Sequence, residues 1–159
     1  MLKRLFDITC SLVGIIFLLP VFLVIVLAII INSGFPIFYF QTRVGKNNRD
    51  FKLFKFRTMY VDADKKGLLT VGGRDPRVTP VGYYLRKFKL DELPQLFNVL
   101  FGSMSLVGPR PEVRKYVEMY NEDQKRVLEV KPGITDYASL EYINENEILA
   151  KSENPEQTY

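Results

Sequence analysis

The sequence predicts an α+β fold, predominantly helical, with an N-terminal re-entrant membrane helix over residues 1–34 and a small folded part over residues 35–159. Three observations carry this reading. Leu12 to Ile31 is an unbroken run of Leu, Ile, Val, Phe, Ala, Gly and Pro, and no formally charged residue occurs from Ile8 to Thr42. Residues 36–44 and 50–57 have the composition of short strands around a Gly-Lys-Asn-Asn turn. Later stretches place apolar residues at helical spacing, each bounded by Gly or Pro.

The apolar run is long enough to cross a bilayer as a straight helix of about 20 residues. It is too long for a secretory leader and lacks a small-x-small cleavage site. A soluble domain of this size has too little material to cover such a helix on all sides. Pro20 removes a backbone hydrogen bond to Ile16 and bends the helix. Lys3 and Arg4 precede the run, and Arg43, Lys46 and Arg49 follow it, so both flanks carry the positive charge of a cytoplasmic side. A helix that enters, bends at Pro20 and returns satisfies both flanks, although proline also occurs in ordinary spanning helices.

In the second predicted strand Phe51, Leu53, Phe54 and Phe56 interleave with Lys52, Lys55 and Arg57. Such a pattern suits stacking on nucleic acid, or a membrane surface with rings at the headgroup level. An ordinary half-buried hairpin has the same composition. The adjacent apolar run favours the membrane over nucleic acid. Residues 60–80, with Gly67, Gly72, Gly73, Pro76 and Pro80, read as a surface loop able to fold over a substrate. Asp62 and Asp64 lack the remaining ligands of a calcium loop and read as solvated.

Residues 81–90 form a basic amphipathic stretch that leads into Asp91-Glu92. Asp91 suits an N-cap, Pro94 is tolerable in a first turn, and Leu93, Leu96, Phe97 and Leu100 recur at helical spacing up to Gly102. A helix start of this kind offers free N–H groups and a positive dipole end to a phosphate. One carboxylate can attack phosphorus while its neighbour holds a magnesium ion. Capping alone also explains both acids. Arg86 and Lys89 lie within reach of a phosphate at such a site. Glu112 to Val130 reads as one helix with a solvated charged face that includes Glu122-Asp123, and Lys131-Pro-Gly-Ile-Thr reads as a turn.

Composition narrows the chemistry. The 159 residues contain no histidine, no tryptophan and one cysteine, Cys10, which excludes histidine bases, histidine metal sites, Cys-His pairs and intrachain disulfides. A net charge of +4 favours anionic partners. A carboxylate, with an ordinary pKa of about 3.9, is ionised at neutral pH without a histidine base.

Three separated motifs now add to this reading. Lys55-Phe-Arg-Thr-Met59, Leu90-Asp-Glu-Leu-Pro-Gln-Leu-Phe-Asn-Val-Leu100 running into Ser105-Leu-Val-Gly-Pro-Arg-Pro-Glu112, and Lys131-Pro-Gly-Ile-Thr135 occur in order over nearly the whole chain. Together they resemble the bacterial sugar transferases, the small monotopic polyprenyl-phosphate phosphoglycosyl transferases. The resemblance implies a re-entrant membrane helix, interfacial amphipathic helices and a small catalytic part at the cytoplasmic face of the bacterial inner membrane. It implies transfer of a sugar-1-phosphate from a UDP-sugar to undecaprenyl phosphate, the first membrane step of glycoconjugate synthesis, with Mg2+ as cofactor. By position in the motif, Asp91 is then the covalent nucleophile and Glu92 the metal ligand. Lys55, Arg57, Arg86 and Arg110 are the corresponding candidates for phosphate contacts.

Two departures stand out. Many members place serine before the membrane-helix proline, where this chain has Leu19-Pro20, and Asp136 to Glu145 replaces a Gly-Trp-Ala-Gln-Val-Asn-Gly type of run. The end at Tyr159, short of the C-terminal helical part common among relatives, reads as a truncation. A membrane-anchored basic module without catalysis accounts for the apolar run and the charge, but not for Asp-Glu followed by Pro-Arg-Pro. Neither the sugar nor the oligomeric state follows from these residues.

Overall fold

The computed structural model describes residues 2–63 and 75–136. Gly67, Gly72, Gly73, Asp64 and the segment after Asp136, all named above, lie outside them. Helix α1 runs over Leu2–Ser33 and contains Pro20. Its 32 residues correspond to about 48 Å at 1.5 Å per residue, longer than the roughly 30 Å of a bilayer core. One stripe, Asp7, Ser11, Gly14, Leu18, Phe22, Ile25 and Ile29, follows the i, i+3, i+4 spacing and turns toward the rest of the chain. The opposite side stays open, with Ile16, Phe17, Leu19, Leu23, Val24, Leu27 and Ile31 exposed. This helix is long and apolar enough to cross a membrane.

Strands β1 (Phe38–Val44) and β2 (Asp50–Phe56) pair antiparallel, with Phe38 opposite Phe56 and Val44 opposite Asp50. The predicted turn forms, and Asn47 and Asn48 take left-handed backbone angles that asparagine tolerates. Phe40 and Phe54 pack edge-to-face across the strands, with centroids 5.1 Å apart. Helix α2 (Pro80–Lys87) starts on Thr79, whose Oγ1 accepts from the Gly82 N–H at 2.9 Å, and has Pro80 in the first position.

The next segment departs from expectation. Asp91 is not an N-cap. Lys89 adopts a left-handed conformation (φ 56°), and a 3-10 turn begins at once over Leu90–Glu92. Leu93 and Pro94 continue in right-handed helical angles into α3 (Gln95–Phe101), which ends on Gly102 (φ 93°) as predicted. The helical path therefore starts before Asp91. The N–H groups of Glu92 and Leu93 bond to the carbonyls of Lys89 and Leu90, both at 3.3 Å, so this helix start does not present them to a phosphate.

Two short parallel strands, β3 (Ser105–Val107) and β4 (Gly133–Thr135), replace the turn expected at Lys131–Thr135. The single helix expected over 112–130 is instead α4 (Arg114–Val117), α5 (Glu122–Lys125) and a 3-10 turn (Arg126–Glu129). The break has a local cause. Asn121 and Gln124 form a reciprocal capping box that restarts the helix.

Two apolar clusters organise these elements. Ile25 and Ile29 of α1 pack with Phe56 and Leu85, with Phe22, Val81, Leu90 and Leu93 against them. Leu53, Val99 and Met104 form the second cluster, with Phe51, Leu106 and Ile134 around it. Asn98 joins α3 to β2: its Oδ1 accepts from the Phe54 N–H at 2.9 Å, and its Nδ2 donates to the Lys52 carbonyl at 2.7 Å.

Polar contacts hold α1 at its N-terminal end. Asp7 is buried and accepts from Ser105 Oγ (2.9 Å) and the Leu106 N–H (3.1 Å). Arg4 donates to the Val99 and Leu100 carbonyls at the end of α3, a position that also suits its charge to the helix dipole.

The approach of α2 to the residues after β2 is tight: a Cβ on Gly82 would sit 2.0 Å from the Thr58 carbonyl oxygen. Gly82→Ala is therefore expected to destabilise by about 1–3 kcal/mol. Gly14→Ala, where the new Cβ meets Leu96 Cδ1 at an ordinary 3.5 Å, is expected to be tolerated. Thermal unfolding of both variants in detergent checks this, and equal melting temperatures would refute the close approach.

Candidate active site

The dyad lies in the 3-10 turn between Leu90 and Leu93, which are both held by the first apolar cluster. Those two anchors fix the turn and orient the acids between them. Asp91 is buried, at 7% exposure. Glu92 is half-buried and pairs with Lys55 on β2, Nζ to Oε1 at 2.9 Å. The motif residues Lys55 and Asp91-Glu92 thus converge, although they are 36 and 37 positions apart in sequence (91 − 55 and 92 − 55).

The two carboxyls have opposite electrostatic settings. Burial pushes Asp91 above the ordinary carboxylate value; Lys55 and Arg86 oppose that rise, and the Glu92 charge adds to it. Burial would also raise Glu92, but Lys55, by charge and by hydrogen bond, together with Lys89 and Arg110, holds it below its ordinary value. Glu92 is therefore the readily ionised member. Asp91 is a desolvated carboxylate whose charge depends on Lys55 and Arg86. Both acids are free of capping duty, since neither the 3-10 turn nor α3 has a side-chain cap.

Three of the four predicted phosphate contacts, Lys55, Arg86 and Arg110, act on the dyad. Lys89 joins them, as the sequence suggested. Arg57 does not. Its guanidinium is buried and donates to the carbonyls of Ser33 (2.8 Å), Gly34 (2.7 Å) and Phe35 (2.9 Å) and to Ser33 Oγ (2.8 Å). All of these acceptors lie at the end of α1 or just after it.

The Pro109-Arg110-Pro111 segment forms one wall of a shallow cleft completed by Val44, Gly45, Val117, Tyr120, Leu128 and Pro132. Arg43 fixes this wall, donating to the Pro111 carbonyl (3.1 Å) and pairing with Glu112 (3.3 Å), while the Val44 N–H donates to the Glu112 carbonyl (2.8 Å). In the sequence Arg43 reads as one of the positive flanks of the membrane segment. The only local hint of this role is a charge opposite to that of Glu112, and nothing in the spacing pairs them. The Arg110 N–H donates to Asp136 Oδ2 (3.0 Å), which ties the same segment to the end of β4.

Among the described residues no group of three or more His, Cys, Asp or Glu side chains forms a metal cage. A magnesium ion that arrives with a diphosphate needs only one or two carboxylates from the protein, because phosphate oxygens and water supply the rest. Glu92 would supply one such ligand.

The family model for "Bacterial sugar transferase" matches residues 1–158. The "Uncharacterized sugar transferase EpsL" of Bacillus subtilis (strain 168) is 47% identical over 87% of this chain and 68% of its own length. The "UDP-N-acetylgalactosamine-undecaprenyl-phosphate N-acetylgalactosaminephosphotransferase" of Aeromonas hydrophila is 40% identical over 87% of this chain and 34% of its own length. The "UDP-glucose:undecaprenyl-phosphate glucose-1-phosphate transferase" of Escherichia coli (strain K12) is 39% identical over 96% of this chain and 34% of its own length. With almost its whole length matched by the family model, the chain belongs to the bacterial sugar transferase family.

Proposed function

We propose that this protein transfers a sugar-1-phosphate from a UDP-sugar to undecaprenyl phosphate at the cytoplasmic face of the bacterial inner membrane, through a covalent intermediate on Asp91. The observation that carries the proposal is a buried Asp91, relieved of capping, beside a Glu92 already neutralised by Lys55. The names of the relatives support the two substrates.

An Asp91 carboxylate oxygen attacks the phosphorus that bears the sugar, the bond between the two phosphates breaks, and UMP leaves with the bridging oxygen. A phosphate oxygen of the lipid then attacks the same phosphorus and releases Asp91. Each step brings anion to anion, so neutralisation dominates the barrier. Lys55, Arg86 and Arg110, whose charges act on the dyad, would supply it. Glu92, with the substrate phosphates, would hold magnesium, which would add further charge neutralisation at the transferring phosphate.

The lipid acceptor requires the site to lie near a membrane. Tyr83, Tyr84 and Phe88 on and after α2, Phe101 on α3, and Phe38 and Phe40 on β1 are exposed aromatic side chains of the folded part, a kind that suits a membrane interface. Both ends of α1 bond to that same part, through Arg4 and Asp7 at one end and Ser33 at the other. A re-entrant helix, with the exposed Pro20 on its lipid side, agrees with this arrangement.

Incubated with labelled UDP-sugar and magnesium but no lipid, the protein is expected to release UMP and retain label, and Asp91→Asn is expected to lose both. Retained label in Asp91→Asn would refute the nucleophile assignment. Lys55→Met removes the cation that favours both ionised carboxyls. Their pKa values then rise, and the acid limb of UMP release is expected to move to higher pH. Lys55→Arg should keep the limb in place, and an unmoved limb in Lys55→Met would contradict the role of the ion pair. Tags at the two chain ends are expected on the cytoplasmic side, as protease or thiol-probe accessibility would report; a periplasmic N-terminus excludes re-entry.

A further inference from the structure

Arg57 resembles Lys52 and Lys55 in sequence, yet it is 6% exposed and makes no bond to the dyad. Its four hydrogen bonds meet the backbone where α1 ends, at Ser33 and Gly34, and continue to Phe35 and Ser33 Oγ. The last turn of α1 has no basic residue of its own. The guanidinium therefore supplies both the donors and the positive charge that a helix C-terminus lacks. Next to a membrane this need is acute, because lipid offers no donors to the terminal carbonyls. Arg57 Nε is buried without a hydrogen-bond partner, a desolvation cost that the arrangement tolerates.

The other side of Arg57 leads directly to the site. Its own N–H donates to the Ile37 carbonyl (2.8 Å), continuing the pairing of β1 with β2, and Lys55 lies two residues earlier on that strand. Lys55 in turn holds Glu92. A short, mostly buried path thus joins the end of the membrane helix to the dyad.

We propose that Arg57 is a positioning residue for the lipid half of the reaction: it locks the end of α1 to the strand carrying Lys55 and so sets the height of the dyad relative to the membrane-facing surface. This rests on the transfer reaction proposed above. A UDP-sugar arrives from water and is indifferent to that height, whereas the phosphate of a membrane-held polyprenol reaches the site only at the right depth. Loosening the lock should therefore weaken use of the lipid acceptor and spare the first half-reaction.

The test uses the full chain in lipid nanodiscs, with Arg57→Gln and Arg57→Lys. UMP release without acceptor measures the first half-reaction, and transfer to undecaprenyl phosphate measures the whole. The expected result for Arg57→Gln is a KM for undecaprenyl phosphate raised about three-fold or more, with the KM for UDP-sugar unchanged. Arg57→Lys should recover part of the loss, since an ammonium keeps the charge but not the fork. A proportional fall in both half-reactions would reduce Arg57 to a stabilising cap, and a raised KM for UDP-sugar would make it a phosphate contact; either overturns the proposal. A second readout does not depend on activity. With Tyr84→Trp as the only tryptophan, quenching by lipids brominated at different depths is expected to differ between Arg57 and Arg57→Gln proteins, and identical quenching profiles refute the lock. Should the parent protein release no UMP, the proposed reaction fails while the quenching result still decides the lock.

Discussion

Two neighbouring carboxylates shielded from water stay ionised together only where a cation meets them, and the Lys55–Glu92 pair is the contact on which the site depends. Lys55 comes from a strand and Glu92 from a turn more than thirty residues later, so the pair forms only if hairpin and turn are pressed together. Several otherwise unrelated features serve that end. Asn98 pins α3 to the backbone of β2 through both ends of its amide. Gly82 lets α2 come against Thr58, and Leu90 and Leu93 sink into the first cluster on either side of the acids. Lys89 accepts a left-handed backbone so that the chain can turn from α2 into the dyad.

The seam between α1 and the folded part follows a division of labour. Its middle is apolar, where Ile25 and Ile29 meet Phe56 and Leu85. Its ends are polar, and each polar contact fills a specific deficiency. Arg4 of α1 caps α3, Arg57 caps α1, and the buried Asp7 accepts from Ser105 and Leu106. Apolar burial alone is non-directional and would let the helix slide along its own stripe. Hydrogen bonds at both ends remove that freedom and make the register of α1 unique.

Much of this was legible in the sequence where the signal is local. The hairpin announces itself through aromatic strands and a turn with two asparagines, and the end of α3 through Gly102. The apolar run announces α1, and the motifs announce which residues of the dyad and its cations come together. The remainder depends on distant partners. Strands β3 and β4 are three residues each and show no periodicity; they exist because Gly108 and Gly133 allow two backbones to touch. Arg57 and Lys55 look alike in sequence, and only the place where α1 ends separates a helix cap from a partner of Glu92. The break within residues 112–130 was visible in principle, since Asn121 and Gln124 have capping-box spacing, but the apolar periodicity across it points the other way.

The position of Asp91 shows how one backbone choice changes the meaning of a residue. An aspartate ahead of Leu-Pro at a helix start is ordinarily bound to a backbone N–H, and such a carboxylate is stabilised as an anion and poorly disposed to attack. Here the left-handed Lys89 starts the helical path early, so the N–H groups that Asp91 would have capped already have carbonyl partners. Burial disfavours the charge of this carboxylate and Glu92 adds to that, while Lys55, Arg86 and the backbone N–H of Asp91 itself favour it. A group balanced in this way would be both available and energetically poised in the nucleophilic role proposed above. The same segment read as a simple cap would have neither property. The distinction rests on the dihedral angles of Lys89, whose charge also helps to hold Glu92 ionised.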